Sequence, residues 1–301
     1  MSVNLSLLGD AIIPIPLNVE YDKKKAALGQ KLFFDTGLSR DGSISCASCH
    51  DLPGSGADVS PFSFGVDGAE GGIHSPTVLN SFFNFAQFWD GRAKNLQEQA
   101  KQPIANPVEM ASDMASAVNY LKTRPDYVKS FKKNYKEGVT EETLVDAIAE
   151  FEKALFTPNS RFDQYLRGNE KVLNEDEKKG YQFFQDYGCI SCHNGVNMGG
   201  NMYQQFGALS IYKSKKDNLG RFNVTNIEGD KYFFKVPTLR NIALSAPYLH
   251  DGGAPTLKEA ISKMMEHQVG IIPQEGDIDK IEAFLRTLTG DSPAILGSKN
   301  R

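Results

Sequence analysis

Two pentapeptides, Cys46-Ala47-Ser48-Cys49-His50 and Cys189-Ile190-Ser191-Cys192-His193, decide how this 301-residue chain is read. They hold all four cysteines of the sequence and two of its five histidines. Two local disulfides would account for the pairs and leave the histidines unexplained. A thioredoxin-like redox pair wants a βαβ context, which the sequence does not offer. A four-cysteine zinc site has its pairs about 15–20 residues apart, whereas these pairs stand 143 residues apart. The reading that uses every residue is c-type haem attachment, twice over. Each thiol then forms a thioether to a porphyrin vinyl group, and the histidine that follows is carried under the iron as its proximal ligand. Attachment of this kind takes place outside the cytoplasm. The run Leu7-Leu8-Gly9-Asp10-Ala11-Ile12-Ile13-Pro14 has no basic flank and is broken by Asp10, so it does not read as a secretory signal. The chain is expected to be a mature form whose leader has been removed.

Around these sites the sequence reads as mainly helical. Gly, Ser and Asp crowd both attachment loops, from Gly37 to Ser45 and from Gly195 to Gly200, and such stretches are turn-formers. Leu144, Ile148, Phe151 and Leu155 recur at helical spacing after Thr140, which is placed to cap them. Asn174 with Glu177 predicts a capped helix through Tyr181 and Phe184 that stops at Gly188 and delivers Cys189. Thr256 with Glu259 predicts a further capping box, before a helix carrying Leu257, Ile261 and Met264. Asp277 opens a last helix expected to end at Gly290. Residues 231–236 are the best strand candidate. Helix gives way to Pro and Asn near Thr157-Pro158-Asn159-Ser160. The fold is therefore expected to be two cytochrome c-like helical haem domains with long loops, 1–160 and 161–301, from an old duplication. The two chain ends could pack across the boundary.

Composition excludes other classes. Apolar residues make up 40% and charged residues 23%, the balance of a globular chain. Lysine plus arginine is 33 against 37 acidic residues, a net charge of −4, which is a poor basis for nucleic-acid binding. No apolar run reaches the ~18 residues of a membrane span.

The order of motifs along the chain resembles the bacterial di-haem cytochrome c peroxidases. The carrying stretches are Leu32-Phe33-Phe34-Asp35, Leu38-Ser39-Arg40-Asp41-Gly42, Ser75-Pro76-Thr77-Val78-Leu79-Asn80 and Phe88-Trp89-Asp90-Gly91-Arg92-Ala93. Glu98-Gln99-Ala100, Pro107-Val108-Glu109-Met110, Val236-Pro237-Thr238-Leu239-Arg240-Asn241 and Ala246-Pro247-Tyr248-Leu249-His250-Asp251-Gly252 continue the match. The resemblance implies a periplasmic enzyme that reduces hydrogen peroxide to water with electrons from a small cytochrome c or copper protein, commonly as a homodimer. It implies that the C-terminal haem, on His193 and a methionine, accepts electrons. The matching methionine is Met264. Met265 is the runner-up, turned about 100° away on an α-helix. The N-terminal haem, on His50, would bind peroxide, with Glu109 as general acid–base and Gln99 as its companion amide. Trp89, the only tryptophan, matches a relay between the haems. His250 matches a position near the domain interface and is not read as a ligand.

Two positions depart from the family pattern. Many members carry a histidine that caps the peroxidatic iron at rest; here that place is Val66, after Gly65. The family asparagine that binds calcium is here His74. The change at Val66 implies simple loss of the cap. A sharper alternative has His74 supply the cap from a shifted loop, Asp58 to Gly72. Calcium, with imidazole in place of an oxygen, would rely on main-chain oxygens near Ser245 and Pro247. Two other functions compete with peroxidase. A pure electron-transfer di-haem cytochrome would not need Glu109 with Gln99. A relative that oxidises a protein typically has tyrosine where Met264 stands.

Overall fold

The computed structural model describes residues 11–297; residues 7–10 of the run Leu7 to Pro14 lie outside the described part. Helices dominate. The first half holds α1 (Lys23–Phe33), α2 (Leu96–Ala105), α3 (Met114–Lys122), α4 (Pro125–Asn134) and α5 (Glu141–Lys153). The second holds α6 (Arg161–Leu166), α7 (Glu175–Asp186), the short α8 (Phe222–Thr225), α9 (Leu257–Met264) and α10 (Asp277–Arg286). Two strands, β1 (Tyr203–Gln205) and β2 (Phe233–Lys235), pair antiparallel with Gln204 opposite Phe234. The extended stretch expected at 231–236 is thus present, but its partner lies far upstream rather than across a hairpin turn.

The capping chemistry sets most helix starts. Thr140 accepts from Thr143 N–H at the head of α5, and Asn174 and Glu177 form a reciprocal box at the head of α7. Gly188, at φ 79°, then turns the chain into the second attachment site. Two expectations need correction. Thr256 caps α9, but Glu259 stays exposed and returns no bond, so only half a box forms. Helix α10 closes at Arg286 because Thr287 turns its N–H back to Phe284; Gly290 lies beyond and donates to Asn241.

Buried apolar side chains form two clusters. One joins α1 to α5 around Leu32, Phe33, Phe131 and Phe151. The other joins α6, α7, α9 and α10 around Phe162, Phe184, Ile281 and Phe284. The ends cross over: Ile12 belongs to the second cluster, and Ile295 and Leu296 pack on the first.

The halves repeat one another in detail. A Cβ on Gly29 of α1 would stand 1.8 Å from the Ala147 carbonyl oxygen and 2.8 Å from Cβ of Phe151 in α5. A Cβ on Gly180 of α7 would stand 1.8 Å from the Lys280 oxygen and 2.9 Å from Cβ of Phe284 in α10. Only glycine lets each helix pair close. Asn80 and Asn241 share a left-handed backbone, φ 61° and 60°. Their N–H groups donate to Leu155 and Leu288, each at 3.1 Å.

The segment near Thr157, where the boundary was expected, is a buried seam. Thr157 is 1% exposed, and its hydroxyl accepts from both Asn80 and Asn241 at 2.8 Å. Beside it, Arg240 and Asp163 form a fully buried ion pair at 2.7 Å. Arg240 also donates to the carbonyls of Val196 and Ile13, each at 3.0 Å, which fastens the N-terminal segment to the second half.

Candidate functional site

Each cysteine pair opens one 3-10 turn, Cys46–Ser48 and Cys189–Ser191. In both, the histidine N–H returns to the first cysteine carbonyl: His50 to Cys46 at 3.2 Å and His193 to Cys189 at 3.0 Å. The turn therefore keeps two thiols and one imidazole together, and all four thiols are free. Each imidazole also has its Nδ1 on a main-chain oxygen, His50 on Gly56 at 3.1 Å and His193 on Met198 at 3.3 Å. A carbonyl only accepts, so Nδ1 carries the hydrogen and Nε2 keeps a free lone pair, the tautomer an iron ligand needs. Burial lowers the pKa of both rings, His193 to about 4, so both stay neutral at pH 7.

The second site faces a cavity of about 500 Å³, lined by Cys189, Cys192, His193, Met264, Met265 and Leu285. That is within the ~300–1,000 Å³ typical of cofactor pockets. Lys235 of β2 lines it too. Its side chain is buried without an anionic partner among the described residues, and burial pushes the ammonium down to about 8. Haem would supply the missing anions as its propionates. Apolar walls, paired thiols, a neutral imidazole, a thioether and an unpaired buried cation together fit that group. Helix α9 does not continue as an α-helix past Met264. A π-turn, Met265–Val269, follows, and such turns recur at functional sites. Both methionines line the cavity, Met265 as well as Met264.

The first site is closed by the turn after α2. Glu109 accepts from Asn106 Nδ2 at 2.6 Å. Burial raises its pKa, opposed by the Asn106 hydrogen bond and by the charge of Arg92. Its charge is felt at the thiols of both Cys46 and Cys49. Burial pushes Cys46 up to about 12, the mark of an apolar pocket. Val66 is buried, and its N–H donates to the Glu109 carbonyl at 2.9 Å. A Cβ on the preceding Gly65 would stand 2.4 Å from that oxygen, so the close approach requires glycine. Gln99 is half-buried on α2, but the hydrogen-bond partner of Glu109 is Asn106. Sequence reasoning passed over Asn106; the Asn106-Pro107 step that ends α2 was its signal.

His74 lies between the halves, 3% exposed. Its N–H donates to His250 O at 2.8 Å, its carbonyl accepts from Trp89 Nε1 at 2.8 Å, and its Nδ1 donates to Ser60 O at 3.1 Å. Its ring thereby borders the cavity of Cys189 and His193, as do Trp89, His250, Ser245 and Pro247. No cluster of three or more His, Cys, Asp or Glu that could hold a metal ion occurs among the described residues. A calcium ion there would have only main-chain oxygens, together with an imidazole already engaged by Ser60. No helix among the described residues is long and apolar enough to cross a membrane.

A family model for di-haem cytochrome c peroxidase matches residues 23–171. A cytochrome c551 peroxidase of Nitrosomonas europaea is 46% identical over 97% of this chain and 88% of its own length. A cytochrome c peroxidase of Escherichia coli is 47% identical over 93% of this chain, which spans 61% of that longer protein. Among solved structures, a MauG-like protein associated with microbial copper homeostasis superposes with a TM-score of 0.82 at 27% identity, covering 99% of this chain and 98% of its own.

Proposed function

Because the chain belongs to the di-haem cytochrome c peroxidase family, we propose that it reduces hydrogen peroxide to two waters in the periplasm, with two electrons from a small cytochrome c or copper protein. The observation that carries the reading is the asymmetry of two otherwise repeated sites. Both have two thiols and a neutral imidazole. One adds methionines; the other adds a half-buried glutamate whose proton affinity burial raises.

Bound at the two sites, haem supplies an iron that takes peroxide in the first half and an iron that accepts donor electrons in the second. The residues of this chain do the rest. Cys46 and Cys49 would hold one haem covalently, with His50 as an iron ligand; Cys189 and Cys192 would hold the other, with His193 as an iron ligand. Met264 would be the second protein ligand of the iron in the second half, which would raise that haem's potential and keep peroxide off it. Lys235 neutralises a propionate. Glu109 takes the proton from one peroxide oxygen and returns it to the other, with Asn106 fixing Oε1 and the Gln99 amide orienting the substrate. Two electrons and two protons per peroxide then leave as two waters. Trp89 lies on the path between the sites. Calcium enters no step; Ser245 and Pro247 offer it main-chain donors.

Turnover of hydrogen peroxide by protein carrying two covalent haems, with a reduced small donor as the only electron source, tests this reading. Two haems that survive acid–acetone extraction with no peroxide turnover would leave an electron carrier.

A further inference from the structure

We propose that Glu152 stands in the wall of the first haem pocket as a carboxyl group that takes up a proton when that haem is reduced and releases it when the haem is oxidised. The proposal rests on Cys46 to His50 being a haem site.

Glu152, in α5, is 4% exposed, and its Oε2 has no hydrogen-bond partner among the described residues. An unpaired carboxylate so placed is costly and keeps its proton instead. Burial alone pushes it up to about 8.

Its location follows from the internal repeat. The glycine and asparagine contacts pair Ala147, Phe151 and Leu155 with Lys280, Phe284 and Leu288. Glu152 therefore stands where the second half has Leu285, and Leu285 lines the cavity of Cys189 and His193. A separate observation agrees: after burial, the charge of Glu152 is the largest influence on the Cys46 thiol. One pocket-wall position thus carries leucine where electrons enter and a titratable acid where peroxide is reduced.

Other charges on the packed elements face elsewhere. Helix α5 packs on α1, α2, α3 and the turn Ser81–Phe83. Lys25 pairs with Asp146, Glu98 accepts from the Lys94 N–H, and Lys101 acts on Glu142. Lys23, Lys24, Lys31 and Lys122 are exposed. On α5 itself Lys153 pairs with Glu150, which leaves Cys46, its thiol spent in the thioether, as the titratable neighbour.

The step is balanced simply. Glu152 binds one proton from solvent, forming its O–H bond, as one electron arrives from the donor. It releases that proton as the electron leaves. The pocket is spared a net change of charge.

The test is potentiometric titration of the haem-loaded protein at a series of pH values, reading each haem by its own spectrum. In wild type, the first haem's reduction equilibrium should shift up to tenfold per pH unit, about 59 mV, falling as pH rises. Glu152→Gln should flatten that dependence and Glu109→Gln should keep it. The infrared C=O band of a buried protonated acid should appear on reduction of the wild type and be absent in Glu152→Gln. Glu152→Leu copies Leu285, so it should fold, and it should be equally flat. A flat wild-type profile, or an unchanged slope in either Glu152 variant, overturns the proposal. Wild-type protein with a single covalent haem by mass would instead defeat the reading on which it rests.

Discussion

The indole of Trp89 meets the imidazole of His250 edge to face, with ring centroids 6.3 Å apart. The two residues occupy equivalent places in the repeat. Each follows a left-handed residue, Phe88 at φ 68° and Leu249 at φ 73°, inside a matching bridge, Gln87 to Ala93 and Tyr248 to Ala254. Their carbonyls accept from equivalent donors: Lys235 N–H to Trp89 at 2.7 Å and His74 N–H to His250 at 2.8 Å. The aromatic pair is therefore the meeting point of the two halves.

If electrons pass between the haems at that point, Trp89→Phe should slow re-reduction of the first haem in stopped-flow mixing while both absorption spectra stay unchanged. Loss of the hydrogen bond to His74 should cost about 1 kcal/mol of stability. Equal transfer rates in variant and wild type would put the route elsewhere.

The pH profile should report on Asn106. Glu109 acts as a base only when ionised. Burial raises its pKa and the Asn106 hydrogen bond opposes that rise. Asn106→Ala should therefore raise it further and move the acid limb of kcat/KM to higher pH. Glu109→Gln should lower turnover about 10²–10⁴-fold at every pH. An acid limb unmoved in Asn106→Ala would mean that another group sets it.

Both methionines reach the second cavity, and their variants should separate them. Met264→Leu should abolish the methionine charge-transfer band and lower that haem's potential. Met265→Leu should keep the band. The reverse result would assign the iron to Met265, the first residue of the π-turn.

Much of this was legible in the sequence because it is local. Thr140 and Asn174 cap the helices they were expected to cap, and the two pentapeptides fold into matching turns. The π-turn after Met264 was not legible, because helical spacing assumes a constant turn. Thr157 read as part of a boundary between the halves because Pro158 and Asn159 follow it; that it is buried against Asn80 and Asn241, both remote in sequence, was not legible there. Glu152 did leave a trace. It stands four residues after Ile148 and eight after Leu144, on the apolar stripe, where an acid breaks the pattern.

The buried pair of Arg240 with Asp163 should be a main determinant of stability. Removing one member of such a pair strands the other charge and costs about 3–5 kcal/mol. Arg240→Met should show that loss in denaturant unfolding. Arg240→Lys should restore little, because one ammonium cannot reproduce a fork that serves Asp163, Val196 and Ile13 together. Full rescue by lysine would show that charge alone matters there.

The last prediction concerns the resting state of the first haem. Activation in the family removes a histidine from the peroxidatic iron, and here that place is Val66, an aliphatic side chain that cannot ligate. Its loop is fastened by its own N–H to the Glu109 carbonyl and by the close approach of Gly65. His74, the other imidazole in reach of the loop, is tied through its N–H, its carbonyl and its Nδ1 to His250, Trp89 and Ser60. Capping the iron would break all three bonds, each worth about 1 kcal/mol net and more if a buried partner were stranded. The fully oxidised protein should therefore give a high-spin ferric signal from one haem in electron paramagnetic resonance, and should turn over peroxide without prior reduction. His74→Ala should leave that signal unchanged. Two low-spin signals, with activity appearing only after one-electron reduction and one haem turning high-spin in His74→Ala, would show that His74 leaves the interface to cap the iron.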